Sequence, residues 1–298
     1  MAKSKQEYLG IFRNFAQDHL INVIKRSEDK SQKAAIVNRC LVNFRSQRIE
    51  QVKQDVCVKS LGNLGLLNEI LMITYVSYVV MLEYRNKVWP YDYMAFSRRV
   101  GELWEPFCKL AFQFPIKDLK LINPPNFDSV QKQIKLNASQ YIDGLKLDDA
   151  TKVELKRYFA IPWKMVDSGG IKLALDLHFE QNKIHYNCDF KSGFNSNEKG
   201  NTNRLLLVAS IYNSLSENEK TILFVRQPED KNNNYLKTLK RSPYWDVYCA
   251  NDCYEAIKNF TGFDLRGWLD NNVNWSDDIS EEFRCYLNKE SLIQYLTW

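Results

Sequence analysis

Histidine is scarce in this chain: His19, His178 and His185 are the only three among 298 residues. Zinc catalysis and Ser-His-Asp chemistry are therefore poorly supplied. The seven cysteines, at positions 40, 57, 108, 188, 249, 253 and 285, include no CxxC pair. Their odd number and spacing suit neither a disulfide framework nor a zinc ribbon. The opening MAKSKQEYLG lacks the apolar core of a signal peptide. The most apolar run, ILMITYVSYVVML at 70–82, is bounded by Glu69 and Glu83 and is too short to cross a bilayer. It predicts a buried helix in an intracellular, cytoplasmic protein with no membrane partner. Internal repeats, low-complexity tracts and P-loop, helicase or methyltransferase motifs are absent as well.

What is present is the balance of a globular domain, with 45% hydrophobic and 26% charged residues. The formal net charge of +5 and the pI near 8.7 tolerate a polyanionic partner without demanding one. Residues 1–90 recur apolar side chains every three or four positions and predict a helical N-terminal region. After Pro90 a further helix is expected, with Phe96, Val100, Leu103, Phe107, Leu110 and Phe114 on one stripe. Residues 115–147, with three prolines and no clear period, read as an insertion. A helix over DDATKVELKRYFA, a hairpin at 172–191, a helix, two short strands and a helix ending at Gly262 follow. Residues 263–298 are expected to pack back as short Trp-rich helices. The expected divisions are 1–90, 91–262 and 263–298, and the class is α/β: a mixed central sheet flanked by helices.

The segment LALDLHFEQNKIHYNCDFKSGF, residues 173–194, carries the chemistry. Alternation puts Leu173, Leu175, Leu177, Phe179, Ile184, Tyr186, Cys188 and Phe190 on one face of the hairpin. The other face holds Asp176, His178, Glu180, Lys183, His185, Asn187, Asp189 and Lys191. With Gln181-Asn182 as a two-residue turn, Asp176 would lie opposite Asn187 and diagonal to Asp189. Two carboxylates with a nearby ammonium suit phosphodiester hydrolysis: oxygen ligands match Mg²⁺, and a lysine can orient water or offset developing charge. A solvated strand face, with Asp189 and Lys191 forming a surface ion pair, is the plainer alternative.

Asp176, twelve intervening residues and then Asp189-Phe190-Lys191 resemble the D…(D/E)xK signature of the restriction-endonuclease-like nuclease superfamily. The resemblance covers about 92–262. It implies a restriction-endonuclease-like core, Asp176 and Asp189 as metal ligands with a catalytic role, and Lys191 as the catalytic lysine. Leu175 stands where that family often has proline, and Asp189 where it more often has glutamate. The family often adds an acidic residue from a preceding helix. Glu102 is preferred here over Glu105 and Glu154, because it follows Gly101 and lies near the edge of the apolar stripe.

Lys199 and Arg204, in the loop and helix after the motif, are candidate DNA contacts, as is Asn187. The basic residues Lys33, Arg39, Arg45, Arg48 and Lys53 alternate with apolar ones and read as a solvated face rather than a DNA surface. The expected activity is a Mg²⁺-dependent Type II restriction endonuclease acting on double-stranded DNA as a homodimer, leaving 5′-phosphate and 3′-hydroxyl ends. A structure-specific repair, recombination or defence nuclease, a non-catalytic nucleic-acid-binding module and a helical interaction protein are the alternatives.

Overall fold

The computed structural model describes residues 3–25, 29–55, 60, 62–164, 173–194 and 199–298. The fold is mixed α/β, and the chain divides into two compact units: Met1–Asp118 with Asn251–Trp298, and Leu119–Ala250. The divisions thus fall at 118/119 and 250/251 instead of 90/91 and 262/263.

In the first unit, α1 (Lys5–Lys25), α2 (Lys30–Gln54) and α4 (Tyr93–Gln113) pack around α3 (Gly62–Val88). At 27 residues α3 is long and apolar enough to cross a membrane, yet 72% of its most apolar window is buried inside the protein. It is a core helix, as its composition predicts, but it runs past the two glutamates expected to bound it. Both are buried and partnered. Glu69 accepts a 2.6 Å hydrogen bond from the Tyr8 hydroxyl. Glu83 receives Arg13 at 2.7 Å and the Ser280 amide at 2.6 Å. A charge inside a helix is tolerated when such partners replace its water.

The same unit contains α9 (Asn251–Thr261), α10 (Leu265–Asn272), α11 (Trp275–Asp278) and α12 (Glu281–Lys289). The expected stripe on α4 is buried at Phe96, Val100, Leu103 and Phe107 and half-buried at Leu110 and Phe114. The Trp-rich tail does pack back: Trp268 and Trp275 are buried, and the Trp298 indole donates to the Val100 carbonyl.

The second unit is built on five strands in sequential order: β1 (Lys120–Leu121), β2 (Leu177–Gln181), β3 (Ile184–Lys191), β4 (Glu219–Val225) and β5 (Trp245–Cys249). The β1–β2 and β2–β3 pairings are antiparallel, and β3–β4 and β4–β5 are parallel. The parallel steps need crossovers, supplied by α7 (Lys199–Leu215) and α8 (Asn234–Arg241). Residues 115–147 are more regular than expected, since α5 (Phe127–Gly144) occupies most of them. Its apolar positions Phe127, Val130, Ile134, Ala138 and Ile142 do keep helical spacing, diluted by Lys, Gln and Asn. Asn126 caps it through Asp128 N and Ser129 N. Next, α6 (Asp149–Lys164) starts at the expected aspartates.

One side of the sheet carries a single apolar core. Leu223 and Val225 of β4 and Trp245 of β5 pack there with Leu205, Val208, Ala209 and Tyr212 of α7 and Leu236 and Leu239 of α8. The polar side chains of the hairpin share that side.

Candidate active site

The hairpin turns at Asn182-Lys183, where φ is 54° and 65°, and not at Gln181-Asn182. A tight two-residue turn with left-handed backbone at both central positions follows the twist of the strands, and asparagine accepts that conformation readily. The register is therefore Gln181↔Ile184, Phe179↔Tyr186, His178↔Asn187 and Leu177↔Cys188. Within the strands the shift keeps each side chain on its expected face but changes its partner, whereas Leu173 and Leu175, expected on the apolar face, precede β2 and join the core with Leu223 and Val225 instead. Asn187 faces His178, not Asp176. Asp176 precedes the first residue of β2 and lies in a bend outside the ladder, where its carboxylate reaches β3 next to Asp189.

The face is also dry. His178 is 6% exposed, and Asn187 and Asp189 are each 1% exposed. In the β3–β4 register Asp189 lies beside Leu223 and Lys191 beside Val225, so these polar groups share the side covered by α7 and α8. A solvated strand does not bury an aspartate in this way.

The Asp189 carboxylate is held by two cations. Its Oδ1 pairs with the Lys191 ammonium, and its Oδ2 is 3.3 Å from Arg204 Nη2. Burial pushes the carboxyl above the usual aspartate range. Lys191 opposes that shift and the neighbouring Asp176 adds to it. Asp176, half-buried, accepts the Phe190 amide at Oδ2 (2.8 Å), which fixes it beside β3. The two aspartates, Lys191 and Arg204 together sum to zero formal charge.

Below the carboxylates runs a buried polar chain. The Leu175 amide donates to His178 Nε2 (2.9 Å), so the other nitrogen, Nδ1, carries the proton and donates to Asn187 Oδ1 (2.8 Å). The Asn187 amide donates to Glu219 Oε2 (2.7 Å), and His185 Nδ1 pairs with Glu219 Oε1 (2.8 Å). Burial lowers the His178 pKa, in keeping with a neutral ring. His178 thus anchors the residue immediately before Asp176. Asn187, expected as a DNA contact, has both ends of its amide engaged in this chain.

Lys191 is 20% exposed at its side chain and sits at the carboxyl end of β3. The segment after it is lashed to β4: Arg226 N donates to the Lys191 carbonyl (2.9 Å), and the Arg226 guanidinium donates to Ser192 Oγ (2.7 and 3.0 Å). The Gln227 side chain lies against Gly193, where a Cβ would come within 2.1 Å of its Oε1. A larger residue there would have to displace the Gln227 side chain. Neither Arg226 nor Gln227 stood out in the sequence, because both act through strand pairing that local pattern does not reveal.

Lys199 is exposed at the first position of α7. Part of the polar loop before it, 195–198, lies outside the described residues. Arg204 keeps 41% of its side chain exposed while touching Asp189 and Asn201. Glu102 and Glu105 belong to the first unit, paired with Arg98 and Arg99 and with Lys109 respectively, and Glu154 pairs with Arg157 on α6. Among the described residues no group of three or more His, Cys, Asp or Glu converges on one point.

Compared with known family models, curated proteins and solved structures, the chain matches none of them.

Proposed function

We propose that the second unit is a Mg²⁺-dependent phosphodiesterase core and that the protein is a sequence-specific endonuclease of double-stranded DNA, of the Type II restriction kind. The observation that supports this most is the buried Asp189 carboxylate with Asp176 held beside it by the Phe190 amide and Lys191 two residues further along the same strand. The element order resembles the restriction-endonuclease-like core: an antiparallel meander β1–β2–β3, a helix, then β4 parallel to β3.

The donor set fits Mg²⁺. That ion takes one or two carboxylates and keeps several waters. Asp189 Oδ1, buried and already taking the positive charge of the Lys191 ammonium, is the kind of oxygen that can accept a cation. Asp176 and Asp189 would hold the ion, and Mg²⁺ bound there polarises a phosphate oxygen and lowers the pKa of a bound water. Lys191, at the rim, orients the attacking water and offsets the charge growing on the phosphate. Arg204 and Lys199, at the start of α7, hold adjacent phosphates. The Arg226–Ser192 contact and Gln227 keep the Lys191 backbone in place. A homodimer acting in the cytoplasm on a two-fold site would cut both strands, since protein and site symmetry then match.

The test is direct. Purified protein is incubated with long DNA of known sequence, with Mg²⁺ or with a chelator, and the ends are mapped. Discrete ends that need Mg²⁺, and that vanish in Asp176→Asn, are expected. Cleavage of flaps or junctions alone would redirect the proposal to a structure-specific nuclease, and no cleavage of any DNA would refute it.

A further inference from the structure

One helix of the second unit has no buried side chain among its described residues. Along α6, Lys152, Lys156, Phe159, Ala160 and Trp163 are half-buried, and every other described position from Asp149 to Pro162 is exposed. The half-buried positions face α5. Lys156 reaches both oxygens of the Asp143 carboxylate at 2.7 and 2.8 Å, Lys152 donates to the Asp143 carbonyl at 2.9 Å, and Lys135 lies over the Trp163 ring at 6.0 Å. The opposite face is in water although it carries Val153, Leu155, Tyr158 and Ile161, with Val153 as much as 68% exposed. Helices of this length draw most of their stability from packing an apolar face, so apolar side chains left in water along one helix mark a contact still to be made.

At about 100° per residue, Ala150, Glu154, Arg157 and Ile161 fall within about 60° of arc and form the outer stripe of α6, with Val153 and Tyr158 bordering it on either side. Glu154 and Arg157 pair within the chain at 2.8 Å. The stripe matches its own reverse. Two copies of α6, set antiparallel about a two-fold axis level with the Leu155–Lys156 bond, bring Glu154 beside Arg157 of the second copy and Ala150 beside Ile161, and each contact occurs twice. Opposite charges meet, and a small side chain meets a large one. The two intrachain pairs become a ring of four alternating charges.

We infer that the outer face of α6 is the contact through which two copies of this chain dimerise. It gives the homodimer of the proposed function a surface, and it rests on that reading for its two-fold symmetry but on none of the nuclease chemistry. Antiparallel helices also set opposite end charges together. Other occupants fit the stripe less well. Duplex DNA and anionic membranes attract an excess of positive charge, whereas the one acid and one base of this stripe cancel. An unrelated protein gives no reason for the stripe to match its own reverse. At 16 residues α6 is about 24 Å long, so the area it can bury falls short of the roughly 800 Å² per partner of a standard interface. The dimer is therefore expected to dissociate in the micromolar range.

The experiment is sedimentation equilibrium of the full-length protein from about 1 to 200 µM, in chelator and without DNA. Wild type is expected to pass from monomer to dimer across that range. Glu154→Arg and Arg157→Glu each place like charges together across the axis, so each alone should weaken association by about tenfold or more. Mixing the two variants in equal amounts brings opposite charges together again, and association should return to within about threefold of wild type. The intrachain pair that each variant loses is exposed and worth little, so neither fold is at stake, and recovery in the mixture uses the same two proteins. Asp189→Asn should dimerise as wild type does although it cannot cut, so failure of the nuclease proposal and failure of this one give different results. A wild type that stays monomeric to about 200 µM overturns the inference. So do single variants that dimerise as tightly as wild type, or a mixture that associates no better than its components.

Discussion

Asp189→Asn should make the protein more stable while abolishing its cleavage. The carboxylate is 1% exposed, so its ionised form has lost nearly all of its water. Lys191 and Arg204 compensate in part, and Asp176 works against them, leaving the carboxyl above the usual aspartate range. A folded-state pKa above the unfolded value of about 3.9 means that the native state binds the proton more tightly. Wild type therefore loses stability as pH rises through the interval between the two values, and the loss persists at neutral pH. Asparagine keeps the shape and removes the charge. The cations left behind are 20% and 41% exposed at their side chains, so water replaces much of what they lose.

The net gain for the variant is expected to be about 1 kcal/mol or more, and each kcal/mol is worth about 2–4 °C in a chain of this size. Melting curves in chelator from pH 3.5 to 7.5 check the sign. The variant and wild type should converge at the acid end, and the variant should melt higher by an amount that grows and then levels off toward neutrality. Adding Mg²⁺ should raise the wild-type midpoint with concentration and leave the variant unmoved, because a ligand stabilises only the state that binds it. A variant that melts lower than wild type at pH 7 in chelator would refute this reasoning. Asp189 would then be the structural counter-ion of Lys191, and its removal would cost stability as breaking a buried pair does.

Lys191→Ala should lower the single-turnover cleavage rate by at least about a hundredfold, or about 2.7 kcal/mol, while the DNA dissociation constant stays within about threefold. Arginine should not rescue it, being bulkier and unable to lose a proton readily. DNA affinity should fall steeply with salt and survive loss of catalysis. If Lys199, Arg204 and one further cation each neutralise a phosphate, the logarithmic slope is about −2.7, which a titration series measures. His178→Ala should cost about 1–3 kcal/mol in a urea melt, since it strands the Leu175 amide and the Asn187 carbonyl oxygen. It should also weaken Mg²⁺ binding by calorimetry, because the Leu175–Asp176 backbone loses its anchor.

The faces of the hairpin from Leu177 to Lys191 were legible in the sequence because alternation has a period of two, and the register error preserved parity; before Leu177 the strand ends and alternation no longer places Leu173 and Leu175. The turn was not. Both Gln181-Asn182 and Asn182-Lys183 contain the asparagine, and no glycine marks which pair must take the left-handed backbone. The length of α3 was misjudged for a related reason. Glu69 and Glu83 look like the ends of an apolar run until Tyr8 and Arg13, distant in sequence, arrive to partner them. In α5 the helical spacing was present but outweighed by the prolines before it.

The state of the polar face was the least legible feature, and it bears most on function. Alternation says which residues share a side of a sheet, and it does not say which helices will cover that side. Here α7 and α8 cover it through Leu223, Val225 and their neighbours, and Asp189 goes inside with them. An aspartate kept for a surface ion pair would contribute about 0–1 kcal/mol and need no burial. One kept inside, with its carboxyl pushed up, costs the fold stability, and two partly exposed cations recover only a share of it. Under the proposed function the remainder would come from the Mg²⁺ held by Asp176 and Asp189, which is why the chelator and Mg²⁺ melts of Asp189→Asn test the proposal.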